Sequence, residues 1–311
     1  MKTAQSRRNF LQLSAAGALG AFAFSKYGSG KPWSIPAEAS VDLKSYGVGL
    51  QLYTIRDAMK ADVPGSLKRI SDMGYKNLEL ADYANGLFYG YKPEELKKIV
   101  NDLGMDIISS HAQIDKKGSI KDNAKKMAGD HVKLGVKYCI QPWVIEEDRK
   151  TVDSFKKMVA DWNITGKVMK EYGIQFGYHN HNFEFDTVEG KVPYFDIFMV
   201  EMDKDLITME IDLFWAIKAG QNPIELFKKY PGRFQLFHMK DMFTKEAPFF
   251  KVATNDFAPV GSGQINFSEI LANKDIAGMK YFFVEQDSTK DGKPFDAIQT
   301  SITNLTTKIL K

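Results

Sequence analysis

Five histidines occur in 311 residues, and two of them, His179 and His181, stand one residue apart in Tyr178-His179-Asn180-His181-Asn182-Phe183-Glu184. The stretch follows Gly173-Ile174-Gln175-Phe176-Gly177, which reads as a short buried strand after a helix. In a strand, residues i and i+2 share a face, so the two imidazoles point the same way. A divalent ion needs three or four such donors, more than one pair supplies. Three further strand-like runs end in a donor: Ile211-Asp212, Phe237-His238 and Val284-Glu285. Convergence of these ends gives a mixed imidazole and carboxylate set, which suits Mn, Zn, Co or Fe and disfavours Mg or Ca. A metal there would act as a Lewis acid on a carbonyl while a nearby base removes a proton from the adjacent carbon.

Strand ends come together only if the strands are parallel. From Gly47 onward, short apolar runs alternate with amphipathic helices. Strands are expected at 48–53, 77–80, 107–111, 138–141, 174–181, 208–213, 234–239 and 281–285, with helices at 64–73, 93–103, 120–134, 151–172, 194–202, 223–230, 267–272 and 295–310. Parallel strands need crossover helices, and eight such units in about 250 residues predict a (β/α)₈ TIM barrel, α/β in class and a single domain. No glycine-rich turn follows the first strand; Thr54-Ile55-Arg56-Asp57 stands there, which argues against an open dinucleotide-binding sheet. The long connection 241–264, with Gly261-Ser262-Gly263, is expected to wall or cover the site.

In this barrel, function sits at the C-terminal strand ends. Besides the four donors, Gln51, Glu79, His111, Gln141, His181, Lys240 and Asp241 fall there. His131, in the third helix, reads as structural or solvated. Glu285 or His181 is the candidate base, Lys240 a candidate for proton transfer or oxygen binding, and Glu79, His111 and Glu184 candidates for substrate hydroxyls. Tyr53, Phe88, Trp143, Phe214 and Trp215 are aromatic candidates for stacking on a sugar, of which Trp215 is taken into the expected site.

Several of these segments resemble the xylose-isomerase-like barrel superfamily, the sugar phosphate isomerase/epimerase family. The segments are His179-Asn180-His181-Asn182-Phe183-Glu184, Glu210-Ile211-Asp212, His238-Met239-Lys240-Asp241, Val260-Gly261-Ser262-Gly263 and Val284-Glu285. The resemblance implies one divalent metal held by His179, Asp212, His238 and Glu285. It also implies sugar chemistry by proton abstraction, through a metal-stabilised enediolate. One position departs from the family: a Glu is common where His179 stands, so the opposed pair of glutamate bases of many ketose epimerases is missing. Isomerase or epimerase is the activity the resemblance implies, although the changed position leans toward a lyase. A lyase acting on oxidised (keto) glycosides or polyol derivatives is the alternative, and a non-catalytic carbohydrate-binding protein the alternative of another class.

The first 39 residues read as a leader. Ser6-Arg7-Arg8-Asn9-Phe10-Leu11-Gln12 is a twin-arginine signal, the apolar run Leu11 to Phe24 is short for a membrane span, and Ala37-Glu38-Ala39 offers a cleavage site. Export by the twin-arginine machinery to the periplasm is expected, with the barrel over 40–311. Without the leader's five basic residues and one acid, 37 basic and 38 acidic residues remain, a net charge of −1 instead of +3. Such a domain has no general attraction for nucleic acid, which argues against the endonucleases of related fold. The expected partner is a small carbohydrate; self-association is left open. The single cysteine, Cys139, rules out an intramolecular disulfide and reads as a buried small hydrophobe.

Overall fold

The computed structural model describes residues 47–244, 253 and 256–311; the twin-arginine segment and the cleavage site lie outside the described residues. Eight parallel strands close a barrel in chain order. They are β1 (Gly49–Gln51), β2 (Asn77–Leu80), β3 (Asp106–His111), β4 (Tyr138–Gln141), β5 (Gln175–His179), β6 (Ile207–Asp212), β7 (Phe234–Met239) and β8 (Tyr281–Val284). β1 pairs with both β2 and β8, which is the closure. All residues of β1, β2, β4 and β6 are buried, as expected for strands covered on both faces.

The crossover helices are α1 (Val63–Asp72), α2 (Pro93–Asp102), α3 (Ile120–Leu134), α4 (Val152–Glu171), α5 (Tyr194–Glu201), α6 (Pro223–Lys229), α7 (Phe267–Leu271) and α8 (Pro294–Asn304). Their starts follow from local chemistry. The side chains of Asp62, Ser119 and Thr151 accept a first-turn N–H of α1, α3 and α4. Proline opens α2, α6 and α8, where a missing N–H costs nothing. Their apolar faces and the outer faces of the strands form the main core, in which Cys139 is buried.

The eight-unit expectation omits some elements. A helix at Arg56–Ala61 precedes α1, another at Leu213–Lys218 follows β6 directly, and a short one spans Lys274–Ala277. The predicted closing helix ends at Asn304 and continues as one wider π turn, Leu305–Ile309. Inside the barrel a smaller apolar cluster, Ile108, Tyr138, Ile140, Leu236 and Phe283, fills the bottom. Leu236 and Phe283 lie two residues before His238 and Glu285, so the same inward faces carry an apolar layer below and a polar layer above.

Candidate active site and metal centre

The polar layer is built from residues at or just past the C-terminal strand ends. β5 ends at His179, and His181 follows it in the loop instead of in the strand, before a turn at Phe183–Phe185. The two imidazoles still share a side, with ring centres 4.9 Å apart. Asn180, facing the other way, accepts the backbone N–H of Asp212 at 3.1 Å and ties the ends of β5 and β6 together. Asp212 in turn caps the helix Leu213–Lys218 by accepting the N–H of Trp215 through Oδ1 at 2.9 Å, which leaves Oδ2 aimed into the site.

The four expected metal donors come together. Ligand atoms of His179, Asp212, His238 and Glu285 all lie within 4.8 Å of one another, and all four residues are buried. His238 Nδ1 is 2.8 Å from Glu285 Oε2 and 3.9 Å from Asp212 Oδ2; His179 Nε2 is 3.7 Å from Asp212 Oδ2. A tetrahedral ion with bonds of about 2.1 Å spaces its ligands about 3.4 Å apart, so these atoms already stand near ligating distances. Asp212 Oδ2 is buried without a hydrogen-bond partner among the described residues. The donor set fits a borderline divalent ion.

Lys240 stands beside this group, its ammonium 3.0 Å from Asp212 Oδ2, 2.8 Å from Glu285 Oε2 and 2.7 Å from Asp287 Oδ1. Burial works against its charge, but Asp212, Asp287 and Glu285 outweigh it and hold the lysine well above its ordinary value. Burial likewise raises Glu285, yet Lys240 and His238 overcome this and keep it an ionised carboxylate, well below the usual range. Asp212 is the costly member: burial pushes it up to about 6 in spite of Lys240 and His238.

Beneath lies a second group of His111, His179, Glu210 and His238, also within 4.8 Å of one another. Glu210 Oε2 is 2.7 Å from His111 Nε2, 3.2 Å from His238 Nε2 and 3.3 Å from His179 Nδ1. Glu79 Oε2 is 2.5 Å from His238 Nε2. The carboxylates of Glu210, Glu285 and Glu79 overcome the effect of burial and raise His238 well above the ordinary histidine range. His179 goes the other way, to about 3, through burial and then the neighbouring His238. His181 is held well below its ordinary value by burial and then by His179 and Lys240, so it is a neutral imidazole. Its ring meets Trp143 edge-on at 4.7 Å and Trp215 at 5.5 Å.

Some expected site residues are placed differently. Glu79 does not reach the mouth: it is fully buried, and its carboxylate accepts from Gln51 Nε2 at 2.9 Å and Ser109 Oγ at 2.6 Å besides meeting His238. Glu184 is also fully buried, accepting from the Tyr178 hydroxyl and the backbone N–H of His181, so it holds the β5 loop instead of facing substrate. His111 is only 10% exposed through its side chain and hangs on Glu210. Of the aromatics, Phe88 packs on His131 and Phe214 on Phe257, both away from solvent, whereas Trp143 and Tyr53 stay exposed. His131 is buried, its Nδ1 2.7 Å from the Met127 carbonyl, and is not solvated.

Gln141 holds the following loop by accepting the N–H of Ile114 and donating to the Trp143 carbonyl. Asp241 accepts backbone N–H groups from Met242, Gly261, Gly263 and Ile265. Gly263 is there because a Cβ would sit 2.3 Å from the Met242 carbonyl oxygen. Within the connection 241–264, Asp241–Met242 pairs antiparallel with Phe257–Ala258 and Phe257 packs against Trp215, while residues 245–252, 254 and 255, on which the expected wall or cover also falls, lie outside the described residues.

Two functional candidates were not anticipated. Glu210 stands two residues before Asp212 and Asp287 two residues after Glu285, the same spacing that flagged the histidine pair.

Comparison with known proteins agrees with this architecture. The family described as Xylose isomerase-like TIM barrel matches residues 67–305. The chain belongs to that family. Two solved structures of sugar phosphate isomerase/epimerases from Parabacteroides distasonis ATCC 8503 are similar over nearly the whole fold. One is 31% identical with a TM-score of 0.72, covering 85% of this chain and 99% of that one. The other is 28% identical with a TM-score of 0.73, covering 89% and 100%. An IolI protein with a bound zinc atom shares the fold at 19% identity and a TM-score of 0.66, covering 85% of this chain and 98% of that one. Among curated relatives, inosose dehydratase of Bacillus cereus (strain AH820) is 27% identical over 149 residues, 44% of this chain and 49% of that protein. The chain thus spans about half the length of the curated relatives it matches.

Proposed function

We propose that this protein is a metal-dependent enzyme that abstracts a proton next to a carbonyl of a carbohydrate, with isomerisation or epimerisation as the outcome. The observation that carries this reading is the donor quartet of His179, Asp212, His238 and Glu285 at four consecutive strand ends, with Lys240 and neutral His181 beside it. Family membership and the two sugar phosphate isomerase/epimerase neighbours support enzymatic carbohydrate chemistry.

A divalent transition metal, Mn, Zn, Co or Fe, would be held by those four residues and would supply Lewis acidity when bound. The chain's own groups do the rest. Lys240 places a permanent positive charge where negative charge develops on a substrate oxygen. His181, kept neutral by its surroundings, is available to take the proton, and Glu285, held ionised, is the other base. Trp143 and Trp215 flank His181 and offer apolar faces to a sugar ring.

A lyase is the second reading, and a specific residue favours it. His179 stands where a second glutamate base would give a symmetric two-base epimerase, so one-sided abstraction followed by loss of a leaving group suits this site. Curated relatives named inosose dehydratase are consistent with it. Oxidised (keto) glycosides and polyol derivatives are the candidate substrates. The precursor is exported through the twin-arginine route to the periplasm, on the strength of Arg7-Arg8 and the apolar run behind them. A sugar and polyol panel incubated with metal-loaded protein in deuterated water separates the readings. Deuterium at the carbon next to the carbonyl with conserved mass skeleton indicates isomerase or epimerase, an unsaturated product indicates lyase, and neither across the panel leaves the enzyme reading refuted in favour of a binding protein.

A further inference from the structure

The two buried groups share His179 and His238, and each ring offers a different nitrogen to each group. His179 turns Nε2 to Asp212 and Nδ1 to Glu210; His238 turns Nδ1 to Asp212 and Glu285, and Nε2 to Glu79 and Glu210. A neutral imidazole has one lone pair, on the nitrogen without the proton. Each ring can therefore ligate on one side only, and its other nitrogen must carry a proton that needs an acceptor. The lower side has the acceptors: Glu79 and Glu210 are both wholly buried carboxylates, with His111 beside them. His179 Nδ1 has no directed hydrogen bond, and Glu210 Oε2 at 3.3 Å is the acceptor within reach. Gln51 and Ser109 fix the Glu79 carboxylate from behind, and His111 fixes Glu210.

We propose that Glu210 and Glu79 are positioning residues that keep protons on His179 Nδ1 and His238 Nε2. That leaves His179 Nε2 and His238 Nδ1 as the nitrogens that face the ion. This inference rests on the metal reading of the upper quartet and assigns work to two carboxylates that neither touch substrate nor ligate. Carboxylates behind ligating histidines fix ring orientation and raise ligand basicity, and their loss commonly costs 10- to 100-fold in metal affinity.

The test combines Zn²⁺ titration calorimetry with ¹⁵N–¹H spectra of histidine-labelled protein, which five histidines keep readable. Parent, Glu210→Gln, Glu79→Gln and the conservative Glu210→Asp are compared, with far-UV circular dichroism establishing that each is folded. The expected result is about 10- to 100-fold weaker Zn²⁺ binding in each Gln variant, partial recovery in Glu210→Asp, and in the zinc-bound parent a proton on Nδ1 of one ligating histidine and Nε2 of the other. Unchanged affinity in both Gln variants while the parent binds Zn²⁺ overturns this inference and leaves the metal reading standing. Complete loss in Glu210→Gln together with full binding in Asp212→Asn also overturns it, because the ion would then sit in the lower group. A parent that binds no Zn²⁺ overturns the metal reading and this inference with it.

Discussion

Asp212→Asn is expected to stabilise the metal-free protein near neutral pH while removing its capacity for metal. Asp212 is wholly buried, its Oδ1 is occupied as a helix cap, and its Oδ2 has Lys240 at 3.0 Å but no directed hydrogen bond. Burial lifts its carboxyl from 3.8 to about 6 in spite of the pull of Lys240. A folded-state value above the unfolded one means that the native protein binds the proton more tightly. The stability is fully present below about pH 4 and is lost as pH rises through 6. The rise from 3.8 to about 6 corresponds to about 3 kcal/mol, of which roughly 2 kcal/mol falls between pH 4.5 and 7.5. Asparagine keeps the capping oxygen and carries no charge, so the stability difference between variant and parent should climb by about 2 kcal/mol over that interval. Urea unfolding in the presence of chelator measures it. Added metal should then raise the parent's stability by mass action and leave the variant unchanged. A difference that is flat with pH, or that falls, would refute the claim that this carboxylate is held ionised at a cost that a cation relieves.

Other consequences follow from the same geometry. His179→Ala should lose metal, whereas His181→Ala should keep it and lose turnover; elemental analysis with rate measurement decides, and the reverse pattern would exchange the two roles. Because burial is overcome by Glu210, Glu285 and Glu79, which hold His238 well above its ordinary value, and its Nδ1 stands 2.8 Å from the Glu285 carboxylate, metal uptake near pH 7 should release about one proton and weaken as pH falls. Calorimetry in buffers of different ionisation enthalpy reads that proton directly, and a heat independent of buffer would contradict it. Replacing Arg7 and Arg8 together with lysine should leave the precursor in the cytoplasm; normal export of the double variant would end the twin-arginine reading.

The barrel was legible because strand and helix periods alternate, with proline and glycine marking the boundaries. The helices at Arg56–Ala61 and Leu213–Lys218 were not, since each is only six residues long and follows its strand within a few residues or at once, where a periodic pattern has no room to declare itself. The convergence of His179, Asp212, His238 and Glu285 was legible because residues at the strand ends of a parallel barrel must come together. The two-residue spacing of the paired histidines also marks Glu210 and Asp287, which the sequence reading did not single out, and depth along the strand is invisible in one dimension. Glu79 illustrates this: it occupies a strand end yet faces Gln51, Ser109 and His238 inside the barrel. Glu184 lies in a turn, and which way a turn folds back depends on the Tyr178 hydroxyl it meets. His238 proves more deeply embedded than a strand-end residue need be, being fully buried between Glu79 and Glu285. Its removal would leave buried carboxylates unpaired and cost stability as well as metal.

Metal stoichiometry tests the central claim most directly. The purified protein is stripped with chelator, reconstituted with Mn²⁺, Co²⁺ or Zn²⁺, freed of excess ion and assayed by elemental analysis beside an Asp212→Asn/Glu285→Gln double variant. One ion per chain in the parent and none in the variant is the predicted result. No retained ion in the parent, or equal content in both proteins, would contradict it.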